Sequence, residues 1–385
     1  MRISILVDSE EFWAQLSQDI KSAQNSIYIQ TFSFEGDITG KTLTKALIAS
    51  SAADKKIIVD DFTKWMINDK FIYAPRNLFN VSLRQEVRET NQMMDELEKN
   101  GVKVKFTKPA GILEKFAMHN HKKVILIDRQ IAYIGGINFC EHNFEWHDSM
   151  LRLDAADVAE ALYADFHLTW AGLKTYTTKN ATDFDLHCLN GYTNHECFDN
   201  ILGLIDDAKE QIYVESPYIT FPFLDHLKAA SQRGCAVTLI TPGPNNRRSL
   251  RDYLLWEAAR TGFDVRLYNR MSHLKAMLID QRYLIIGSSN FDYFSYKFHQ
   301  EIVAILTNPE LVAEYTNRVF LEDIRNSQPG HRIGNLKGIL IHAGMRIAAR
   351  LITHLARNRN QMESLEINIP SPANEKQPVL PRSNQ

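Results

Sequence analysis

The chain has 385 residues, of which 44% are hydrophobic and 10% aromatic, so it is long enough for two domains that each bury a core. A formal net charge of −2 provides no overall positive field, so we expect no nucleic-acid partner. The N-terminus lacks a secretory signal pattern, and no apolar run approaches the about 18 residues that a membrane span needs.

The predicted elements occur twice along the chain. Residues 20–34, IKSAQNSIYIQTFSF, and residues 205–219, IDDAKEQIYVESPYI, both indicate a helix end, an alternating strand and a polar turn. In each half a helix, a buried strand, a helix that ends at glycine and a further strand follow. Strands that alternate with helices predict an α/β fold built twice, with halves at residues 1–175 and 195–325.

Two segments interrupt this pattern. An aromatic insertion at about residues 62–96 lengthens the first half. An insertion of this size is either a surface decoration or, beside a site, a lid or lipid-contacting wall, and both readings stay open. Residues 171–196 are polar and turn-rich, which is typical of a connection between halves.

One polar pattern is present in both halves. HKKVILID begins at His121, and HLKAMLID begins at His273 with the same polar residues at the same spacing. At an equal distance beyond each copy comes a small-residue turn, GGIN or GSSN. One H-x-K-x4-D pattern arises easily by chance, but two copies with the same turn predict a shared function. The residues of the pattern are His121, Lys123, Asp128 and Asn138 in the first half and His273, Lys275, Asp280 and Asn290 in the second.

These residue types suit phosphodiester chemistry. Alternate residues of a strand share a face, so each histidine and the lysine two places on project to the same side. Phosphodiester cleavage needs a nucleophile on one side of phosphorus and an acid for the departing oxygen opposite. One imidazole can form a phosphohistidine while the other donates the proton, and the lysines and asparagines can hold the non-bridging oxygens. The pattern therefore predicts one active site assembled from two halves.

Further polar residues complete the predicted site. Asp148 and Glu301 lie at nearly the same distance beyond the two turns. Each is either a carboxylate that holds a histidine in one tautomer or an ordinary acidic residue at the surface. Asp128 and Asp280 are expected to fix the strand-to-turn geometry rather than to touch phosphate. His119 has no counterpart in the second half, so we expect it to be peripheral. No cluster has metal-ligand spacing, and we expect no metal and no cofactor.

The doubled pattern resembles that of the phospholipase D superfamily, over nearly the whole chain to about residue 325. EWHDSMLRL, PYITFPFLDHLKAASQRGCAVTLITPG and SSNFDYFSYKFHQE are similar to its bacterial cardiolipin synthase branch, in the short form without N-terminal transmembrane helices. The resemblance implies a duplicated phospholipase D-type αβ(α) sandwich whose pseudo-twofold halves share one active site. It also implies metal-free transfer of a phosphatidyl group, with His121 as nucleophile and His273 as acid, to an alcohol such as phosphatidylglycerol. The insertion and the connection match no pattern of the branch, which leaves the acceptor open.

The C-terminal part predicts a basic amphipathic helix. Residues 331–361 contain no acidic residue, and their apolar residues recur at helical spacing beside a row of arginines. Such a helix suits an anionic membrane surface, and packing on the domain is the alternative. We expect residues 362–385 to be a disordered tail. Four cysteines without a C-x-x-C pair indicate a reducing compartment, so we expect a cytoplasmic protein, peripheral on the inner face of the cell membrane.

Three functions remain open at this point. The first is a phosphatidyltransferase that acts on phospholipids. The second is a hydrolase, either a phospholipase or a nuclease, although the near-neutral charge counts against a nuclease. The third is a non-catalytic lipid-binding scaffold, which two intact copies of the pattern disfavour. Transferase and hydrolase share every residue named above, since they differ only in what reaches the intermediate.

Overall fold

The computed structural model describes residues 1–107 and 117–366, with side chains as far as residue 354. The chain divides into two compact units, Met1–Ala343 and Gly344–Gln385, and the first contains both halves of the repeat. Every helix in the described part of the chain is too short or too polar to cross a bilayer.

A seven-stranded mixed sheet organises the first half. Its strands are β1 (Arg2–Val7), β2 (Ser26–Thr31), β3 (Asp54–Val59), β6 (Val102–Phe106), β7 (Val124–Ile127), β8 (Ile131–Gly135) and β9 (Ser149–Asp154), whereas β4 (Met66–Ile67) and β5 (Lys70–Phe71) form a separate hairpin. The order in the sheet is β1-β9-β8-β7-β2-β3-β6. Strands β2, β3 and β6 are parallel, and β7, β8 and β9 form an antiparallel meander.

The helices of the first half pack on both faces of this sheet. They are α1 (Asp8–Ser22), α2 (Ile38–Ala49), α3 (Val81–Lys99), α4 (Glu141–Phe144) and α5 (Ala156–Trp170). In α1, Phe12, Leu16 and Ile20 recur every four residues and are buried in the core on one face, whereas Val158, Leu162 and Phe166 of α5 are buried in the core on the other face. Helix α2 begins where the Asp37 carboxylate accepts a hydrogen bond from Gly40 N at 2.9 Å.

A nine-stranded sheet organises the second half. Its strands are β10 (Thr177–Ala181), β11 (Phe184–Cys188), β12 (Gln211–Glu215), β13 (Ala236–Pro242), β14 (Asp264–Tyr268), β15 (Ala276–Ile279), β16 (Tyr283–Gly287), β17 (Ile302–Leu306) and β18 (Ser327–Pro329). The order is β10-β11-β17-β16-β15-β12-β13-β14-β18. The helices are α6 (His195–Asp207), α7 (Phe223–Gln232), α8 (Arg248–Ala258), α9 (Tyr293–Lys297), α10 (Pro309–Tyr315) and α11 (Leu321–Arg325), with a π-helical turn at Thr316–Phe320.

The two sheets repeat one topology. The parallel trio β12, β13 and β14 corresponds to β2, β3 and β6, and the meander β15, β16 and β17 corresponds to β7, β8 and β9. The sheets differ at their edges, because β1 pairs with β9 in the first, whereas β11 pairs with β17 in the second. The prediction of an α/β fold built twice is therefore confirmed.

The halves share a hydrophobic core. Alternate residues of β7 and β15, among them Leu126 and Leu278, are buried together in one cluster with residues of both sheets. The residues that follow in β7, such as Ile127, belong to the core on the other face of the first sheet. Both strands are thus buried on two faces, as their continuous apolar runs predict.

Two isolated backbone bridges join the halves beside the polar patterns. One bridge pairs Asn120 with Gln300, and the other pairs His147 with Ser272. His121 N donates to Gln300 O at 2.8 Å, and His273 N donates to His147 O at 2.7 Å. The segment that begins each polar pattern is therefore held by main-chain hydrogen bonds to the opposite half.

Two boundaries differ from the prediction. The polar connection at residues 171–196 contains the hairpin β10–β11, which extends the second sheet through β17. The C-terminal helix, α12 (Asn335–Glu366), begins four residues later than the predicted helix and includes residues 362–366 of the predicted tail. The rest of that tail, residues 367–385, lies outside the described residues.

Candidate active site

A cavity of about 330 Å³ lies between the two halves. Its lining includes His121 and Asn138 from the first half and His273 and Asn290 from the second. The two imidazoles that the sequence predicts to cooperate therefore open onto one space. Aromatic side chains also line this cavity, namely Phe32, Phe62, Trp146, Tyr218 and Phe294.

Each histidine is held by a carboxylate from the other half. His121 Nδ1 lies 3.1 Å from Glu301 Oε2 and 3.0 Å from Ser288 O. His273 Nδ1 lies 2.8 Å from Asp148 Oδ2. Donation from Nδ1–H to these oxygens fixes the tautomer in which Nε2 is the free acceptor. The sequence supplied both acids as candidates, but only the packing of the halves shows that the pairs cross.

The two carboxylates occupy equivalent positions in the sheets. Asp148 lies two residues before Met150, which pairs with Gly135, and Glu301 lies two residues before Val303, which pairs with Gly287. Beside Asp148 stands Gly136, where a Cβ would lie only 2.2 Å from Asp148 Oδ1. The small-residue turn thus leaves room for the carboxylate. The corresponding residue in the second half, Ser288, instead donates its hydroxyl to Glu301.

Both lysines of the pattern are buried behind the histidines. Lys123 Nζ donates to His121 O at 2.9 Å, and Lys275 Nζ donates to His273 O. Burial lowers the pKa of Lys123 to about 7 and that of Lys275 to about 8. Neither lysine is among the residues that line the cavity, so phosphate binding by the two lysines stays a prediction.

The two histidine–carboxylate pairs differ electrostatically. Burial lowers the pKa of His121 to about 3, and it also holds the pKa of His273 well below its usual value. Although burial opposes ionisation of Glu301, the His121 ring keeps the pKa of Glu301 well below its usual range. Burial raises the pKa of Asp148 to about 6, despite the opposing effect of Lys275. Burial therefore favours the neutral form of both imidazoles, and Asp148 holds a proton more readily than Glu301.

The two asparagines have different surroundings. Asn138 Nδ2 donates to Asn143 Oδ1 at 2.6 Å, and Asn138 Oδ1 accepts from Ser33 N at 3.3 Å. Asn290 Oδ1 is buried without a hydrogen-bond partner among the described residues. A buried amide oxygen without a partner is costly, and a substrate hydroxyl could satisfy it.

Asp128 and Asp280 do not line the cavity. The carboxylate of Asp128 accepts hydrogen bonds from the backbone of residues 24–26, and that of Asp280 accepts from residues 209–211. Both aspartates have a positive φ, 52° and 50°, at the turn after their strands. The repeated aspartate thus connects the start of one strand to the end of another, as its expected structural role requires.

Several residues of the cavity wall are not predicted from the sequence to be functional. His119, which is predicted to be peripheral, lines the cavity, and its Nδ1 lies 3.4 Å from Asp60 Oδ1. His299 also lines it and belongs to the FHQE segment. Arg247 brings an exposed positive charge to the wall from the second half. Unlike the repeated residues, these have no second copy that could have revealed them.

Three groups of described side chains are close enough to hold a metal ion. They are Glu35 with Cys140 and His142, Glu35 with Asp37 and Glu86, and His147 with Glu215 and Asp323. In the third group His147 already pairs through Nδ1 with Asp8 at 2.6 Å and through Nε2 with Asp323 at 2.9 Å. The structure does not test whether any of these groups binds an ion, and the absence of a metal cofactor stays a prediction.

Solved structures share this architecture. The fold is similar to phosphatidylserine synthase of Haemophilus influenzae Rd KW20, with a TM-score of 0.70 and 13% identity over 91% of this chain and 94% of that one. It is also similar to polyphosphate kinase of Porphyromonas gingivalis, with a TM-score of 0.57 and 12% identity over 91% of this chain and 53% of that one. At these identities the likeness concerns the fold alone.

Sequence comparison is more specific. The chain is 26% identical over 371 residues to cardiolipin synthase 1 of Staphylococcus epidermidis, covering 85% of this chain and 68% of that protein. It is 24% identical over 360 residues to cardiolipin synthase of Staphylococcus aureus, covering 84% and 67%. The family model described as cardiolipin synthase, PLD-like domain, matches residues 16–170 and 201–323, one match in each half. The chain therefore belongs to the cardiolipin synthase, PLD-like domain family, within the phospholipase D superfamily of enzymes.

Proposed function

We propose that this protein is a phosphatidyltransferase of the cardiolipin synthase type, which moves a phosphatidyl group through a phosphohistidine to a phospholipid alcohol such as phosphatidylglycerol. The observation that carries the proposal is the pair of crossed histidine–carboxylate contacts on one cavity, His121 with Glu301 and His273 with Asp148. Cardiolipin synthases among the relatives indicate the class of substrate.

In the first step Nε2 of His121 attacks the phosphorus of the donor lipid. A P–N bond forms and the P–O bond to the departing alcohol breaks. His273, which takes up a proton from solvent on Nε2 when the anionic diester binds, gives that proton to the departing oxygen. Glu301 stabilises the positive charge that develops on the His121 ring. In the second step the acceptor hydroxyl gives its proton to His273 and attacks phosphorus, and the P–N bond breaks.

The difference between the two carboxylates supports this division of roles. A nucleophilic imidazole needs an ionised partner that stabilises its growing charge, and Glu301, with its low pKa, supplies one. An acid must carry a proton, and Asp148, whose pKa burial raises to about 6, retains a proton beside His273 more readily than Glu301 does beside His121. Entry of an anionic phosphodiester favours protonation of this pair further, because the negative charge raises nearby pKa values.

The buried lysines hold the non-bridging oxygens in this proposal. Their ammonium groups share the site with two carboxylates, and the pKa of each is lowered mainly by burial. A bound phosphodiester supplies the missing negative charge, and the attraction strengthens as charge accumulates on the oxygens in the transition state. Asn290 Oδ1, which has no partner in the described structure, is placed to accept a hydrogen bond from the acceptor hydroxyl.

The same proposal places the enzyme on the inner face of the cell membrane. At the start of α12, Lys337 Nζ lies 2.5 Å from Asp252, and His342 Nδ1 lies 3.0 Å from Glu257. These contacts leave Leu336 73% and Leu340 64% exposed. Exposed leucines on a helix rich in lysine and arginine suit the surface of an anionic bilayer.

The proposal is tested with phosphatidylglycerol vesicles and mass spectrometry of the lipid products. The parent protein is expected to form a tetraacyl lipid and glycerol, and His121→Ala and His273→Ala to form neither. His226→Ala is the matched control, because His226 Nδ1 pairs with Asp206 at 2.8 Å but does not line the cavity. Phosphatidic acid as the main product would indicate a phospholipase instead, and cleavage of a labelled oligonucleotide that depends on His273 would indicate a nuclease.

A further inference from the structure

The insertion in the first half contains a compact segment, residues 70–84, which runs from β5 into the first turn of α3 and is here named the rim loop. It packs on a small core of its own, formed by Ile67, Ile72 and Leu83. Asn77 Nδ2 donates to Phe71 O at 2.8 Å, and Arg84 Nη2 donates to Ile72 O at 3.0 Å. The loop is thus an internally hydrogen-bonded element, and its outward side chains are held in place.

The outward side chains of the rim loop are apolar. Phe79 is 90% exposed and Val81 is 78% exposed. Three more exposed apolar residues surround them, Phe71, Tyr73 and Leu78. Exposing a group of neighbouring apolar side chains to water is unfavourable, and such a patch is typical of a surface that binds an apolar partner.

The charge of the rim loop is entirely positive. Lys70, Arg76 and Arg84 lie in it, and residues 70–84 contain no aspartate or glutamate. Lys70 and Arg76 are exposed beside the apolar side chains. Apolar residues flanked by cations match a bilayer that contains anionic lipids. A symmetric contact between two copies of the loop would instead bring like charges together.

The rim loop begins at the wall of the cavity. Asp69, the residue before it, lines the cavity, and its carboxylate accepts a hydrogen bond from Asn246 Nδ2 of the second half at 3.1 Å. Phe79 is not part of the cavity wall and points to solvent, so the loop does not cover the cavity as a lid. The rim loop therefore adjoins the cavity wall at Asp69 and leaves the cavity open.

We infer that the rim loop inserts Phe79 and Val81 into an anionic lipid bilayer and so holds the cavity mouth at the lipid surface. The inference rests on the proposed function for its biological meaning, since lipid substrates reach the site from that bilayer. Lys70 and Arg76 bind the anionic headgroups around the inserted side chains. The cavity wall at this side then adjoins the membrane. The acyl chains of a lipid substrate can therefore stay in the bilayer and are not exposed to water.

The insertion is tested by sedimentation with vesicles of phosphatidylglycerol and phosphatidylcholine. Phe79→Ser is expected to bind about 10-fold to 100-fold more weakly than the parent, since one buried phenyl group is lost. Phe79→Trp is the matched control, which is expected to bind as the parent does and to shift its emission to the blue on binding. Equal binding by parent and Phe79→Ser, or an unshifted Phe79→Trp spectrum, would overturn the inference. So would light scattering that shows a dimer in the parent and a monomer in Phe79→Ser.

The basic residues have a separate test. Lys70→Gln and Arg76→Gln are each expected to weaken binding to vesicles rich in phosphatidylglycerol by about fivefold, and to leave binding to phosphatidylcholine alone unchanged. Sedimentation measures vesicle binding and not product formation, so it distinguishes the two proposals. Parent protein that binds through Phe79 but transfers no phosphatidyl group would refute the proposed function alone, whereas transfer with unaltered binding by Phe79→Ser would refute this inference alone.

Discussion

Replacing Glu301 by glutamine removes the negative charge that faces the His121 ring. Glu301 Oε2 lies 3.1 Å from His121 Nδ1, and both residues are buried. With the ring charge centred about 4 Å away, the attraction is about 4 kcal/mol at an effective dielectric constant of about 20. A neutral hydrogen bond worth about 1 kcal/mol remains in the variant. The net loss of about 3 kcal/mol predicts a kcat about a hundredfold lower.

Steady-state kinetics on phosphatidylglycerol measures this effect. The loss is expected in kcat and not in KM, because the ring becomes charged only as the P–N bond forms. Glu257→Gln is the control, since this buried carboxylate accepts a hydrogen bond from His342 Nδ1 at 3.0 Å outside the cavity wall. It is expected to lower the melting temperature and to preserve kcat. A folded Glu301→Gln protein with kcat within about threefold of the parent would refute the electrostatic reasoning.

Three further predictions concern other parts of the site. Gly136→Ala is expected to lower kcat by at least about tenfold, because the added Cβ would lie 2.2 Å from Asp148 Oδ1. Gly203→Ala is the control and is expected to preserve kcat, because no atom lies within 4 Å of its added Cβ. Equal kinetics of the two variants would contradict the prediction. Since the pKa values of Lys123 and Lys275 are lowered to about 7 and 8, kcat/KM for an anionic diester is expected to fall as pH rises through that range, and a flat profile to pH 9 argues against lysine binding of phosphate. Although burial lowers the pKa of His147, Asp323 and Asp8 raise it well above its usual 6.5. The ion pairs of His147 therefore stabilise the fold fully below pH 6.5, and this stabilisation is lost as pH rises through the raised pKa. The melting temperature of His147→Asn should accordingly differ most from that of the parent at low pH.

Local patterns in the sequence predict those parts of the fold that repeat. The two H-x-K-x4-D segments indicate the histidines and lysines, and the alternation of strands and helices indicates the duplicated sheets. The expected role of Asp128 also depends on local geometry, because a carboxylate in a turn at the end of a strand readily accepts backbone N–H groups nearby. Each of these features is decided within one half.

Features that depend on how the halves pack could not be predicted in this way. Which carboxylate faces His273 follows from the bridge between His147 and Ser272, a contact between segments 125 residues apart that has no local signal. The hairpin within residues 171–196 also depends on a contact that is distant in sequence. Its polar residues form strands only when the exposed edge of β17 offers them hydrogen bonds. His119 has no counterpart in the second half, so the repeat does not indicate a role for it, yet it lines the shared cavity.

The central claim is that two histidines from separate halves act on one phosphorus atom, His121 as nucleophile and His273 as acid. A phosphatidyl ester of p-nitrophenol tests it most directly, because p-nitrophenolate departs without an acid. His273→Ala is expected to release one equivalent of p-nitrophenol rapidly and to carry the phosphatidyl group on His121, as located by mass spectrometry, whereas His121→Ala gives no burst. A burst from His121→Ala, or an adduct on any residue other than His121, would contradict the account.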